Sequence, residues 1–150
     1  MKTMSTLDFE HVSPGQALPS LSKQVTVEQI RQYAEASGDR NPIHLDEAFA
    51  RSAGLPGVIA HGMLTMAFAN QLVTDWLGDR SWLKRLQGRF AGMVLPGDEL
   101  TCSGSVASKQ DDSRRVVINL VVTNQRGEKV LNKGVAEAEF PPQRSETHAA

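Results

Sequence analysis

The run Gly38-Asp39-Arg40-Asn41-Pro42-Ile43-His44 sets a carboxylate and an imidazole five positions apart on a loop stiffened by proline. Such a loop can aim both groups into one volume. There they can remove and return a proton near neutral pH, one orienting the other or both gripping the same water. The same residues also admit a local reading, with Asp39 accepting backbone N–H groups in a turn beside Asn41 and His44 hydrogen-bonded at the next helix entrance. A second segment, Ala60-His61-Gly62-Met63-Leu64, opens a long apolar stretch. The unpaired N–H groups of a helix start form a positive end, and Gly62 lets a substrate oxygen approach the backbone, as an oxyanion site requires. Gly62 could equally serve close packing where the helix enters the core, and His61 reads as a cap or a buried structural imidazole.

These groups need elements to hold them. Residues 1 to 20, with Pro14, Gly15 and Pro19, read as a segment laid on the surface, and Leu21 to Val25 as a short strand. Thr26 and Gln29 have capping-box spacing, Ile30, Tyr33 and Ala34 form a narrow apolar face, and Gly38 can terminate the helix; this predicts a helix near 27 to 37. Asn41-Pro42 forbids its continuation, so Gly38 to Leu45 is expected to be an ordered non-helical connection. Asp46 then caps a short helix carrying Ala48, Phe49 and Ala50, which Gly54 stops. From Gly62 to Leu77 the only charge is Asp75 and apolar residues occupy all sides at helical period, so this helix must be buried on most of its surface. It would span about 24 Å, somewhat short of a bilayer core.

Beyond it the period changes from helix to strand. Leu86 and Phe90 alternate with Arg85, Gln87 and Arg89, and Leu100, Cys102, Gly104 and Val106 alternate with Thr101, Ser103 and Ser105. Pro96-Gly97-Asp98 turns the chain between them, and Lys109 to Ser113 turns it again before Val116, Ile118, Leu120 and Val122. After a turn through Gly127, Gly134, Ala136, Ala138 and Phe140 face one way while Lys133, Glu137 and Glu139 face the other. Four such strands after one buried helix predict an α+β fold, an antiparallel sheet curled around the helix with its polar face outward. The small residues Gly104, Gly134, Ala136 and Ala138 are expected to let the sheet backbone approach the helix. A single domain over 1–140 and a frayed polar tail over 141–150 complete the reading.

Composition excludes several classes. The 150 residues are 40% apolar with 12 glycines, enough for one core, and 16 Lys plus Arg against 17 Asp plus Glu leave a formal charge of -1. That balance argues against a nucleic-acid partner. The first 25 residues hold no apolar run behind basic residues, and nothing approaches the ~18 uninterrupted apolar residues of a membrane span, so a cytoplasmic protein without a membrane partner is expected. The single cysteine, Cys102, has no Cys or His at metal-ligand spacing, which fits a reducing compartment.

The run from Tyr33 to Asp46 (YAEASGDRNPIHLD), followed by Ile59-Ala60-His61-Gly62-Met63, resembles the hydratase signature of MaoC-like (R)-specific enoyl-CoA hydratases. The similarity extends from about Phe9 to Phe140. Within the family the chain looks most like the catalytic B-type subunit of actinobacterial (3R)-hydroxyacyl-ACP dehydratases, through Ala60 to Met66 (AHGMLTM) and Val73 to Asp79 (VTDWLGD). The resemblance implies a hot dog fold, with the helix near 62 to 77 as the sausage, an overhanging segment carrying the hydratase motif, and pairing into homodimers or heterodimers with another hot dog subunit. It implies that Asp39 and His44 hold and activate the catalytic water and that the Gly62 amide binds the thioester carbonyl oxygen. Several hydratases also carry a serine eight residues beyond that glycine; this chain departs from them with Asn70, whose amide can still reach toward the water or the dyad.

The chemistry implied is reversible syn hydration of a trans-2-enoyl thioester to a (3R)-3-hydroxyacyl thioester, with an acyl-CoA or an acyl carrier protein thioester as substrate. No metal and no cofactor are expected, since no ligands cluster along the chain and backbone donors can hold an enolate. Met63, Met66 and Phe68 are candidates to line an acyl tunnel, and Arg85, Arg89, Arg114, Arg115 and Lys129 to meet phosphates or an acidic carrier. Two rivals remain: a hot dog thioesterase, which would hydrolyse the same thioester, and a non-catalytic acyl-binding or stabilising subunit of a heteromeric dehydratase. The hydratase pattern from Asp39 to His44 disfavours the first, and retention of both dyad residues the second.

Overall fold

The computed structural model describes residues 7–143. Its elements run β1 (Leu21–Gln24), α1 (Val27–Ser37), α2 (Pro42–Leu45), α3 (Glu47–Ser52), α4 (Gly62–Leu77), β2 (Trp82–Phe90), β3 (Glu99–Gln110), β4 (Arg115–Thr123) and β5 (Lys129–Glu139), after a 3-10 turn at Phe9–His11. The strands form one antiparallel sheet in the order β1-β3-β4-β5-β2, curled around α4 as an α+β hot dog. Of the tail expected over 141–150, residues 144–150 lie outside the described residues.

Local chemistry accounts for the helices that carry the motif. Thr26 Oγ1 accepts from the Gln29 N–H at 3.1 Å while Gln29 Oε1 accepts from the Thr26 N–H at 3.3 Å, closing the capping box of α1. Gly38, at φ 78°, ends that helix in the left-handed conformation. The expected non-helical connection from Gly38 to Leu45 is corrected, because Pro42–Leu45 forms one helical turn. Asn41 caps it by accepting from the Ile43 N–H at 3.2 Å, and Pro42 stands at the first helical position, where its missing N–H costs nothing. The proline that stops α1 therefore starts α2. Asp46 caps α3 through the Phe49 N–H at 3.0 Å.

The core lies between α4 and the sheet. Leu64, Phe68, Ala69, Leu72, Val73 and Leu77 bury against inward residues such as Leu100, Cys102, Ile118, Val122, Ala136 and Ala138. The alternation predicted for β3, β4 and β5 holds at these positions. The burial expected on most of the surface of α4 is interrupted where Met63, Ala67, Thr74 and Asp75 are exposed. The sheet wraps one side of the helix and leaves the other open. Among the described residues strand β2 pairs only with β5 and its second edge has no partner, and Phe90 is half exposed rather than packed inward like Leu86.

Two further expectations change. Residues 1 to 20 were to lie on the surface, but Phe9, Val12 and Leu18 are buried, and Gly15, Gln16 and Leu18 bond along β3 through Val106 and Gly104. This covers an edge that would otherwise expose unpaired backbone. The glycines at 104 and 134 serve a neighbouring strand more than the helix. In register they flank Leu120 on both sides, and a Cβ would stand 2.9 Å from Leu120 Cδ2 at the first and 2.7 Å from Leu120 O at the second.

Candidate active site

The extended segment before α4 ties the motif together. The Val58 N–H donates to Glu47 Oε2 at 3.0 Å, the Ile59 N–H to the Ile43 carbonyl at 3.1 Å, and the Ala60 N–H to the Val94 carbonyl at 2.8 Å. The Val58 N–H, and then Arg51, hold the Glu47 carboxyl below the ordinary carboxylate range. Segment 58–60 is thus fixed to α2, α3 and the loop after β2, and it delivers His61 and Gly62 beside α2.

His44 is buried, with Nδ1 2.6 Å from the Ile59 carbonyl oxygen. A carbonyl can only accept, so in the neutral ring Nδ1 carries the proton and Nε2 presents a lone pair. His61 is 2% exposed; its Nε2 lies 2.9 Å from the Asp39 carbonyl oxygen and its ring stacks on His44 with centroids 3.8 Å apart and planes 24° from parallel. Asp39 is exposed, with Oδ1 accepting from the Asn41 N–H at 3.2 Å, so the turn role read from sequence is real. That bond occupies one carboxylate oxygen and leaves the other uncommitted among the described residues. One ligand-type atom from each of Asp39, His44 and His61 lies within 4.8 Å of the others.

A cleft of about 230 Å³ reaches this cluster at His44 alone, and is lined also by Gly62, Thr65, Phe90, Met93 and Val130 among others, but not by Asp39 or His61. Gly62 is the first residue of α4, and among the described residues its N–H donates to no protein acceptor. A Cβ there would come within 3.1 Å of the Phe90 ring. The fold thus brings one imidazole, His44, and a helix-end donor to one cavity, with the Asp39 carboxylate beside His44 but outside the residues that line it.

Other predicted site residues fall elsewhere. Asn70 is half buried on α4 and does not line the cleft; eight residues along a helix carry it about 12 Å from Gly62. Met63 is 55% exposed and does not line the cavity. Of the basic candidates, Arg114 is committed to Glu10 at 2.7 Å and to the Pro141 carbonyl, Arg115 stands 3.7 Å from Glu139, and Arg85 bonds Gln87. Arg89 and Lys129 make no ion pair among the described residues.

Sequence reasoning missed Thr65 and Phe90 as lining residues and set His61 aside. Phe90 carried no signal beyond strand alternation, whereas Thr65, one turn beyond His61 on an apolar helix, was a polar group in need of an explanation. His61 does stand at the cap position of α4, but its side chain makes no capping bond. The expectation that no metal ligands cluster also needs correction, because folding gathers three. The rings nevertheless suit an ion poorly. Imidazole lone pairs lie in the ring plane, and two stacked rings direct theirs side by side rather than at one tetrahedral centre.

The profile of the MaoC-like domain matches residues 10–128. Among solved structures, the R-hydratase PhaJ1 of Pseudomonas aeruginosa is 31% identical with a TM-score of 0.81, covering 90% of this chain and 86% of that one. The (R)-hydratase of A. caviae involved in PHA biosynthesis is 28% identical with a TM-score of 0.80, covering 88% and 99%. Among curated proteins, the fatty acid synthase subunit beta of Aspergillus oryzae is 37% identical over 110 residues, 71% of this chain. That of Saccharomyces cerevisiae is 45% identical over 74 residues, 47% of this chain. The chain spans only 5% and 4% of the lengths of those two subunits. A family profile over most of the chain, on a hot dog fold that draws Asp39, His44 and His61 together, establishes that this chain belongs to the MaoC-like hydratase and dehydratase family.

Proposed function

We propose that the chain catalyses reversible syn addition of water to a trans-2-enoyl thioester, giving the (3R)-3-hydroxyacyl thioester. The observation that carries this reading is the His44 Nδ1 bond to Ile59, which commits one ring nitrogen as donor and leaves Nε2 free as a base on a residue that lines the same cleft as Gly62. Water gives a proton to Nε2 as its oxygen bonds to Cβ. The alkene pair moves to Cα and the carbonyl, and the Gly62 N–H meets the charge growing on the thioester oxygen. The proton then returns to Cα from the same face across the Asp39 carboxylate, so one water is added and the dyad is restored.

The substrate is an acyl-CoA or acyl carrier protein thioester, and the proposed subgroup is the B-type dehydratase subunit, on the strength of Ala60 to Met66. The proposal includes a dimer, with itself or with another hot dog subunit. The free edge of β2 and the exposed Trp82, Phe90, Met93 and Met63 support this, as apolar area and unpaired backbone together favour association. A single buried thiol agrees with a cytoplasmic setting, and no described helix is long and apolar enough to cross a membrane.

The test is a panel of enoyl-CoA and enoyl carrier protein substrates of increasing length, run with the native chain and with Asp39→Asn. Loss of enoyl absorbance without free thiol supports hydration. Release of free thiol would instead mark a thioesterase, and a chain silent alone but active beside a second subunit would mark a heteromeric enzyme.

A further inference from the structure

We infer that His61 is a positioning residue that couples the two halves of the dyad; this inference rests on the hydration reading. Three contacts carry it. Its Nε2–H holds the Asp39 carbonyl oxygen at 2.9 Å, across 22 positions of sequence. Its ring lies 3.8 Å from His44, centroid to centroid, in a stacked arrangement. The Tyr33 ring of α1 packs on it at 4.8 Å, tilted by 59°. His61 thus touches α1, the backbone of Asp39 and the ring of His44 at once, from a position immediately before Gly62.

Its burial makes these contacts specific. In the neutral ring a donating Nε2 leaves Nδ1 as the acceptor, and Nδ1 is buried with no hydrogen-bond partner among the described residues. A burden of this kind is normally designed out of a core, where an apolar ring of similar size would pack without it. What a phenylalanine cannot supply is the proton donated to the Asp39 carbonyl. Asp39 is exposed and its loop has few other ties: its N–H to Ser37 Oγ and its carboxylate to the Asn41 N–H are both local, within two residues. The His61 bond is the long-range restraint that sets where Asp39 stands relative to His44. It reaches the reaction only through the dyad, so its effect falls on turnover more than on substrate capture.

The experiment compares His61→Gln, which keeps an N–H donor, with His61→Phe, which keeps a ring under His44, and with His61→Ala, which keeps neither. Folding is followed by circular dichroism and melting temperature. His61→Ala is expected to lose about 10²-fold in kcat with KM within about threefold, the size expected when reacting groups are misplaced by about 1 Å. His61→Gln should recover about tenfold of that loss and His61→Phe should not. Full activity in His61→Ala, or His61→Phe outperforming His61→Gln, overturns the inference; if His61→Ala does not fold, the Gln and Phe pair decides it. Nitrogen-15 spectra of labelled histidines in the native chain give a readout independent of turnover. His61 as the Nε2–H tautomer with a slowly exchanging proton supports the restraint, and the Nδ1–H tautomer overturns it. A native chain without hydration activity would sink the functional reading and leave this spectroscopic result to stand or fall alone.

Discussion

The Ile59 carbonyl oxygen lies 2.6 Å from Nδ1 of His44, while the Ile59 N–H bonds back to the Ile43 carbonyl at 3.1 Å. One residue of an extended segment therefore grips α2 by both its backbone and its imidazole. The ring cannot turn without breaking the first bond, and the segment cannot slide without breaking the second. Because the grip comes from main chain, substitution of the Ile59 side chain leaves it intact, and the direction of the His44 lone pair is set by the path of the backbone.

Replacement of either dyad member should lower turnover, and at the exposed Asp39 it should do so without a cost to folding. Asp39→Asn and His44→Asn are each expected to lower kcat by about 10²-fold or more in the hydration assay. Asp39 is exposed, so Asp39→Asn should leave the melting temperature close to that of the native chain. An Asp39→Asn protein with native kcat would remove the carboxylate from the mechanism.

Gly62→Pro isolates the helix-end donor. Proline is favoured at the first position of a helix, and His61, at φ -62° and ψ 136°, already has the conformation a residue before proline prefers. The variant should keep its helical circular dichroism and lose about 10² to 10³ in kcat, as removal of one oxyanion donor does. Gly62→Ala is the control for added bulk against Phe90. It should lose markedly less, because the half-exposed ring has room to move aside.

Gly134→Ala should destabilise the fold by about 1–3 kcal/mol, the usual cost of forcing an atom into a packed site. The new Cβ would meet Leu120 O at 2.7 Å, and a strand backbone paired on both sides cannot yield as a side chain would. Urea unfolding measures the loss. Gly97→Ala, where nothing stands within 4 Å of the added carbon but φ is +91°, should instead show only the strain of its backbone conformation.

Stability should also fall on the alkaline side. Burial pushes the Cys102 thiol from its ordinary 9.0 up to about 11, with Lys23 acting weakly the other way. A group whose value is raised on folding contributes in full below the unfolded value and loses that contribution as pH rises to the folded one. The loss therefore falls between about 9 and about 11. Cys102→Ala should flatten the decline of melting temperature over that range, and the native thiol should resist alkylation at pH 8 until the chain unfolds. Rapid alkylation of the folded chain at pH 8 would contradict this account.

Much of the architecture was legible because its signals are local. The capping box at Thr26 and Gln29, the left-handed stop at Gly38 and the Asp46 cap each involve residues within one turn, and the period-two runs of β3 to β5 record which side of a strand meets the core. The reading failed where one residue type serves two purposes. Pro42 reads as a breaker and is also a starter, and Gly104 and Gly134 read as clearance for the helix when they make room for Leu120. It failed again at Met63 and Phe90, where helical and strand periods point to burial but the sheet covers only one side of α4.

What the chain alone determined is the chemistry it can offer: an acid and an imidazole on a proline-braced bend, and a glycine at the start of an apolar helix, all encoded by short-range spacing. Only tertiary structure decided how these groups are arranged. The Ile59 carbonyl selects the proton-bearing nitrogen of His44, and a histidine 22 positions from Asp39 restrains its backbone. Gly62, the first residue of α4, lines the same cleft as His44. These are contacts between segments far apart in sequence, made by backbone atoms that every residue carries, and for that reason no pattern of side chains announces them.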